Sequence, residues 1–162
     1  MNMADNMELM YARSTYHTLC KTLDNMNLRY DRTDDELKVL LGFKGDAFDL
    51  QFLVLIDADR QLIRIISLLP FNMNEDKIVE GSIAVAGINY LLADGSFDID
   101  LTEGHVMFKM VSTFRDSIIG EDLIEYMVSI AYSTVNKYCG RLASLNDGIF
   151  DLDYFLESLE NN

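Results

Sequence analysis

Arg64-Ile65-Ile66-Ser67-Leu68-Leu69-Pro70-Phe71 opens the stretch of sequence that decides the fold. An apolar segment follows and closes on Ile88-Asn89-Tyr90-Leu91-Leu92-Ala93-Asp94-Gly95. The chain then runs through Ser96-Phe97-Asp98-Ile99-Asp100-Leu101 and Thr102-Glu103-Gly104 to His105-Val106-Met107-Phe108-Lys109. The order is strand, proline stop, helix, Asp-Gly turn and hairpin. Residues 62–69 are apolar apart from Arg64 and Ser67, so that strand is expected to be covered on both faces. Pro70 lacks the N–H a ladder needs and is expected to end the strand. Asn74 can cap the helix, and Glu75 and Asp76 suit its first turn. The helix is expected to reach Leu92, with Gly95 suited to the left-handed conformation that stops it.

At about 100° per residue this helix carries two apolar stripes. Val79, Ile83, Ala86 and Tyr90 form one. Ile78, Val85, Ile88 and Leu92 form another on roughly the opposite side. A helix that is apolar on two sides has to be covered twice. One stripe can lie on its own sheet; the other needs a further helix or a second subunit. Val79, Ile83, Ala86 and Tyr90 are therefore the candidate dimer or partner interface.

Upstream, Asp5 and Glu8 have capping-box spacing, and Ala12, Tyr16, Leu19, Cys20, Leu23 and Met26 recur at helical spacing. Residues 29–34 are polar and read as a loop. Residues 37–43 and 48–56 read as strands, the second with Phe48, Leu50, Phe52, Val54 and Ile56 on one face. Downstream, 96–101 and 105–114 form a hairpin. A long helix over 121–143 carries Leu123, Ile124, Met127, Val128, Ala131, Val135, Tyr138 and Leu142 as one stripe. Asn146-Asp147-Gly148 breaks it. Residues 149–162 are expected to form an acidic amphipathic helix. Its apolar side, Leu152, Phe155, Leu156 and Leu159, either docks on the domain or serves as a partner-binding tail.

The chain has 162 residues, 49% of them hydrophobic, which suits one domain with a real core. Its net charge of -14 disfavours nucleic-acid and anionic membrane surfaces. Solubility alone accounts for such a surface; a basic protein partner also fits it. Cys20 and Cys139 form no paired framework, which points to a reducing cytoplasm. The first ten residues lack a basic region and a long apolar core, so no signal peptide is read there. No apolar run approaches a membrane span.

Several of these stretches resemble the YbjN domain family: Phe52-Leu53-Val54-Leu55-Ile56-Asp57, residues 62–71, residues 88–97 and Asp98-Ile99-Asp100-Leu101. The resemblance covers roughly residues 10–142 and rests on pattern rather than on a catalytic motif. It implies a fold similar to the secretion chaperones of type III systems, which are small, acidic, dimeric α/β proteins. It also implies partner binding, since members are described as candidate sensory transduction regulators without established biochemistry. The tail after Gly148 looks like an addition to the family core.

No residue set carries recognisable chemistry. His17 and His105 lie in different elements without Cys or Glu at metal-ligand spacing. Asp98-x-Asp100-x-Thr102 begins like a calcium loop, but Gly104 is one residue late and Lys109 stands where the loop needs glutamate. The alternation with Phe97, Ile99 and Leu101 reads the two acids as the wet face of a strand. Glu121, Asp122 and Glu125 suit a helix N-terminus better than a catalytic pair. The expected fold is α+β in the order α-β-β-β-α-β-β-α. It has one five-stranded, mainly antiparallel sheet with packed helices over 1–148 and the acidic helix at 149–162. The expected function is a non-enzymatic, chaperone-like or regulatory homodimer that binds an unidentified protein. No catalytic, cofactor or metal residues are assigned. The alternatives are a small-ligand sensor or an enzyme of unrecognised type, using a pocket between sheet and long helix, and an acidic surface that mimics nucleic acid. Adding EDTA is expected to leave the melting temperature unchanged; a substantial fall would show that the histidines or Asp98 and Asp100 hold a metal.

Overall fold

The computed structural model describes residues 3–115 and 117–160, with side chains from residue 6 onward. The elements are α1 (Met3–Asn25), β1 (Tyr30–Thr33), β2 (Lys38–Lys44), β3 (Asp49–Asp57) and β4 (Leu62–Asn72). After a 3-10 turn at Glu75–Lys77 come α2 (Ile78–Leu91), β5 (Ser96–Ile99), β6 (His105–Thr113), α3 (Glu121–Asn146) and α4 (Leu152–Glu160). One sheet of order β1-β2-β3-β4-β6-β5 joins the strands, and every neighbouring pair is antiparallel.

The sheet has six strands, not the five expected. The additional strand is β1, which lies in the polar segment read as a loop; Tyr30 pairs with Leu41 and Thr33 with Lys38. Three of its four residues are exposed. Such a strand has no buried face to impose an alternation, so its sequence looks like a loop. Tyr30 anchors it: its hydroxyl donates to Asp24 Oδ1 at 2.9 Å, in the last turn of α1. Burial, then that bond, pushes the phenol up to about 12. Pro70 does not end β4 either, which continues to Asn72. Pairing with β3 stops at Ile66, and the β6 register is irregular between Leu68 and Asn72. Pro70 therefore sits where no ladder asks it for an N–H. Helix α1 is already formed at Met3, so Asp5 lies inside it rather than at its cap.

The inner face of the sheet holds the core. Val39, Leu41, Phe52, Val54, Ile63, Ile65, Val106 and Phe108 are buried there. Buried side chains of all four helices join the same cluster: Leu19 and Leu23 from α1, Ile88 from α2, Ile124 and Val135 from α3, Phe155 from α4. Phe97 sits edge-on to both Phe108 (5.2 Å between ring centres) and Tyr138 of α3 (6.2 Å), filling the space between sheet and long helix. The outer face is different. Leu40, Leu68 and Val111 are exposed and Leu53, Leu55 and Ile66 are half-buried. The cover expected on both sides of residues 62–69 is present on one side only among the described residues. All four helices contribute to the core on this one face of the sheet, α4 by packing on α2 and α3.

Helix α4 folds back on α2 and α3. Phe155 is fully buried and Leu159 nearly so, with Leu152 and Leu156 packed at the core's margin. The close approach needs Gly87 on α2, because a Cβ there would lie 3.1 Å from Leu156 Cδ2 and from Leu159 Cδ1. The Arg141 guanidinium of α3 stands 5.5 Å from the Phe155 ring centre. Burial of Phe155 and Leu159 is worth roughly 3–6 kcal/mol together. Truncation after Gly148 is thus expected to lower unfolding free energy by about that amount in urea denaturation. An unchanged midpoint and slope would show that α4 does not dock.

Candidate functional site

Two asparagines fix α2 at both ends. Near its C-terminus, Asn89 Nδ2 donates to the Phe97 carbonyl at 2.8 Å and Asn89 Oδ1 accepts the Phe97 N–H at 2.8 Å. The side-chain amide thus satisfies both backbone groups that edge strand β5 turns away from β6, as another strand would. Before its N-terminus, Asn74 makes no cap bond with its side chain. It is tied instead to Asn146 at the end of α3. Asn146 Oδ1 accepts the Asn74 N–H at 2.6 Å, and the Asn146 carbonyl accepts from Asn74 Nδ2 at 3.2 Å. Asn146 Nδ2 donates to the Asn72 carbonyl at 3.3 Å. Neither role was legible in the sequence, where Asn146 reads as a helix stop.

Held in this way, α2 turns Gly81, Ala84, Val85 and Ile88 to the core. The candidate stripe points the other way. Val79 is 71% exposed, Ile83 45% and Tyr90 90%, and Ala86 is exposed between them. Helix α4 packs along the Gly87 flank and leaves this stripe uncovered. At its start the stripe continues into a depression lined by Val79, Ile78, Leu101, Glu75 and Glu103. The surroundings are acidic. Residues 75–92 carry Glu75, Asp76 and Glu80 against Lys77, which is paired with Glu80 at 2.8 Å. The β5–β6 turn adds Asp100 and Glu103, and α4 adds Asp153, Glu157 and Glu160 without a basic residue. That is a net charge of -2, -2 and -3 from three neighbouring segments, half of the chain's -14.

The outer sheet face carries no net charge. The strand register places Lys38, Lys44, Arg64 and Lys109 on it, with Asp31, Asp49, Asp57 and Asp98. Several are paired within the chain: Arg64 with Asp57 at 2.6 Å, Lys109 with Asp98, and Lys38 with Glu36. Between them lie the apolar row Leu40–Leu53–Ile66 and, on either side of Arg64, Leu55 and Val111.

The chemistry sought in the sequence resolves into local structure. His17 is exposed on α1. His105 places Nδ1 2.7 Å from Asn72 Oδ1 and Nε2 2.8 Å from Glu103 Oε2. Among the described residues no group of three or more His, Cys, Asp or Glu side chains is placed to hold a metal ion. Glu121 bridges α3 to α1, accepting from Lys21 at 2.5 Å and from Asn25 at 2.8 Å; the Lys21 bond holds its pKa below the usual carboxylate range. Burial pushes the Cys139 thiol up to about 11, far from a nucleophile's range. The depression beside the long helix lies between α3 and the α2–β5 connection, lined by Leu92, Asp94, Tyr126, Ile130 and Lys137 rather than by the sheet. A cleft of about 440 Å³ between α1 and the β1–β2 connection mixes Arg13, His17 and Arg32 with Asp34 and Asp35. No helix among the described residues is long and apolar enough to cross a membrane.

Comparison with protein-family models finds no match, and no curated protein sequence matches the chain. Solved structures do. The crystal structure of YbjN from E. coli, for which a transcription-regulator role has been suggested, aligns with a TM-score of 0.60. That alignment covers 80% of this chain and 89% of YbjN at 10% identity. A chain of the HopA1–SchA chaperone–effector complex aligns with a TM-score of 0.50 at 12% identity, covering 77% and 93%. The fold is YbjN-like, as the sequence resemblance implied.

Asp100 departs from its sequence reading. β5 ends at Ile99, and the Asp100 carboxylate accepts the N–H groups of Thr102 (2.7 Å) and Glu103 (3.1 Å), so it closes a turn and leaves Leu101 exposed. These backbone bonds hold its pKa below the ordinary aspartate range. A depressed folded value means that the stabilisation is present above the unfolded value and is lost as pH falls through the folded one. Carboxyl NMR titration is expected to give Asp100 a midpoint below about 3.9. A midpoint at or above that value would show that the turn bonds are not made in solution.

Proposed function

We propose that this chain is a non-enzymatic, YbjN-family protein-binding protein of chaperone-like or regulatory type, acting in the cytoplasm through the exposed stripe of α2. One observation carries the reading: Val79, Ile83, Ala86 and Tyr90 form an apolar face directed away from the core on a helix clamped at both ends. Solvent-facing apolar stripes on rigid helices are kept where something docks on them. The acidic surroundings set the partner's chemistry. They favour a segment with an apolar side and basic residues beside it, and they speed its encounter at low salt. They disfavour nucleic acid and anionic lipid for the same reason. The fold shared with one chain of a chaperone–effector complex supports the same mode, since that complex joins a chaperone to another protein.

A second reading gives the stripe to a second copy and makes the chain a homodimer through α2. Its apolar character favours that reading. The like charges of the surrounding segments weigh against it, because a twofold axis there would set each acidic segment against its own copy.

Ile83→Asp and Tyr90→Asp change exposed positions and should leave the fold intact. Affinity capture from native lysate with the wild-type chain and each variant, read by quantitative mass spectrometry, tests the proposal. A basic partner retained by wild type is expected to drop at least tenfold with either variant. Identical capture by all three proteins would sink the α2 reading.

A further inference from the structure

We infer that the cleft between α1 and the β1–β2 turn binds a small zwitterion, an α-amino acid with an apolar side chain. The inference is independent of the α2 reading and concerns a different surface. Its first ground is a local reversal of charge. The chain carries 27 acidic and 13 basic residues, yet residues 9–23 of α1 hold Arg13, His17 and Lys21 and no acid. Spaced by four, these three lie along one face of the helix. Lys21 is taken by Glu121 of α3 at 2.5 Å. Arg13 and His17 are exposed and line the cleft, and among the described residues neither has an ion pair or a side-chain hydrogen bond.

The second ground is the opposite wall, where the turn presents two aspartates in different states. Asp34 is engaged: its Oδ1 accepts from the Tyr16 hydroxyl at 2.9 Å and lies 3.3 Å from Arg32 Nε. Asp35 is exposed and, among the described residues, has neither an ion pair nor a side-chain hydrogen bond. One wall thus offers unpartnered bases and the other an unpartnered carboxylate. A molecule that carries both charges satisfies both walls. Its carboxylate pairs with the Arg13 guanidinium, whose fork of donors matches it, and with His17. Its ammonium donates to Asp35. A simple anion leaves Asp35 facing like charge, and a simple cation meets Arg13.

The third ground is the floor. Tyr16, Cys20 and Leu37 are buried beneath the charged rim, so the body of the ligand rests on apolar surface. Small-ligand sites have this form, apolar walls with a few placed polar groups, and about 440 Å³ is within their usual size. The walls are also fixed in advance. The Tyr16 hydroxyl, bound to Asp34, stands 3.3 Å from the Lys38 carbonyl, and the Leu37 carbonyl accepts the Ile56 N–H at 3.1 Å. A preformed cleft loses little freedom when it is filled. The rival reading is a set of separately solvated charges, which discriminates between no ligands.

Isothermal titration calorimetry of the full chain with L-leucine, L-methionine and L-phenylalanine tests the proposal. At least one is expected to bind saturably with a Kd at or below about 1 mM. Its deaminated and decarboxylated counterparts (hydrocinnamate and phenethylamine for phenylalanine) are each expected to bind at least tenfold more weakly to the wild type. Arg13→Gln and Asp35→Asn are expected to raise the Kd at least tenfold, while Ile83→Asp on α2 leaves it unchanged. Both cleft variants change exposed side chains, and far-UV circular dichroism verifies that each folds. Absence of saturable binding by all three amino acids overturns the inference. So does a deaminated counterpart that binds as well as its amino acid, which would make the cleft a site for anions only. Full affinity in folded Arg13→Gln overturns it too, by placing the ligand elsewhere.

Discussion

Everything else in this fold depends on the position of β4 between β3 and β6. Ile65 stands opposite Val54 on one side and Met110 on the other, so three inward side chains line up in one cross-strand row. Ser67 opposite Phe108 and Ile63 opposite Ser112 extend that alignment. A slip of one residue in either ladder would turn the core residues of β4 outward and its outer row inward. The β4–β6 ladder also joins segments separated by the whole of α2 and β5. It therefore fixes where α2 begins and where β5 must return.

The excursion between β4 and β6 is stabilised by side-chain amides rather than by more sheet. Asn89 supplies the missing partner for Phe97, and Asn146 links the end of α3 to Asn72 and Asn74. Hydrogen bonds of this kind gain little by number, but leaving buried partners unmade is costly. Their structural effect is to hold α2 against the core along its small residues, with the opposite stripe turned to solvent. The exposed stripe is thus a consequence of how the helix is anchored, not of weak packing.

Charge is distributed as unevenly as hydrophobicity. The segments around the α2 stripe hold half of the net negative charge, and the outer sheet face holds none of it. Two apolar surfaces on the same small protein are thereby made different. One lies within an acidic field; the other is electrically quiet. Apolar area by itself could not make that distinction, because it is non-directional and blind to the partner.

Much of the fold was legible in the sequence because periodicity records which side of an element is buried. Ala12, Tyr16, Leu19, Cys20 and Leu23 on α1, and Ile124 to Leu142 on α3, recur at helical spacing and are buried together. The two stripes of α2 were visible for the same reason, and Gly95 adopts the left-handed conformation its position required, with φ +74°. β1 was not legible, since a short exposed edge strand has no buried side to leave a pattern. The strand beyond Pro70 was hidden because proline's meaning depends on whether a neighbour needs its N–H. The sequence by itself determined the helices, the strands that have a buried face, the inner core and the acidic balance, all of which follow from local periodicity and composition. Only the tertiary structure decided which apolar rows stay uncovered and where the charges gather beside them. Those depend on contacts between residues far apart in the chain, such as Gly87 with Leu156 or Asn74 with Asn146, and no local pattern encodes them.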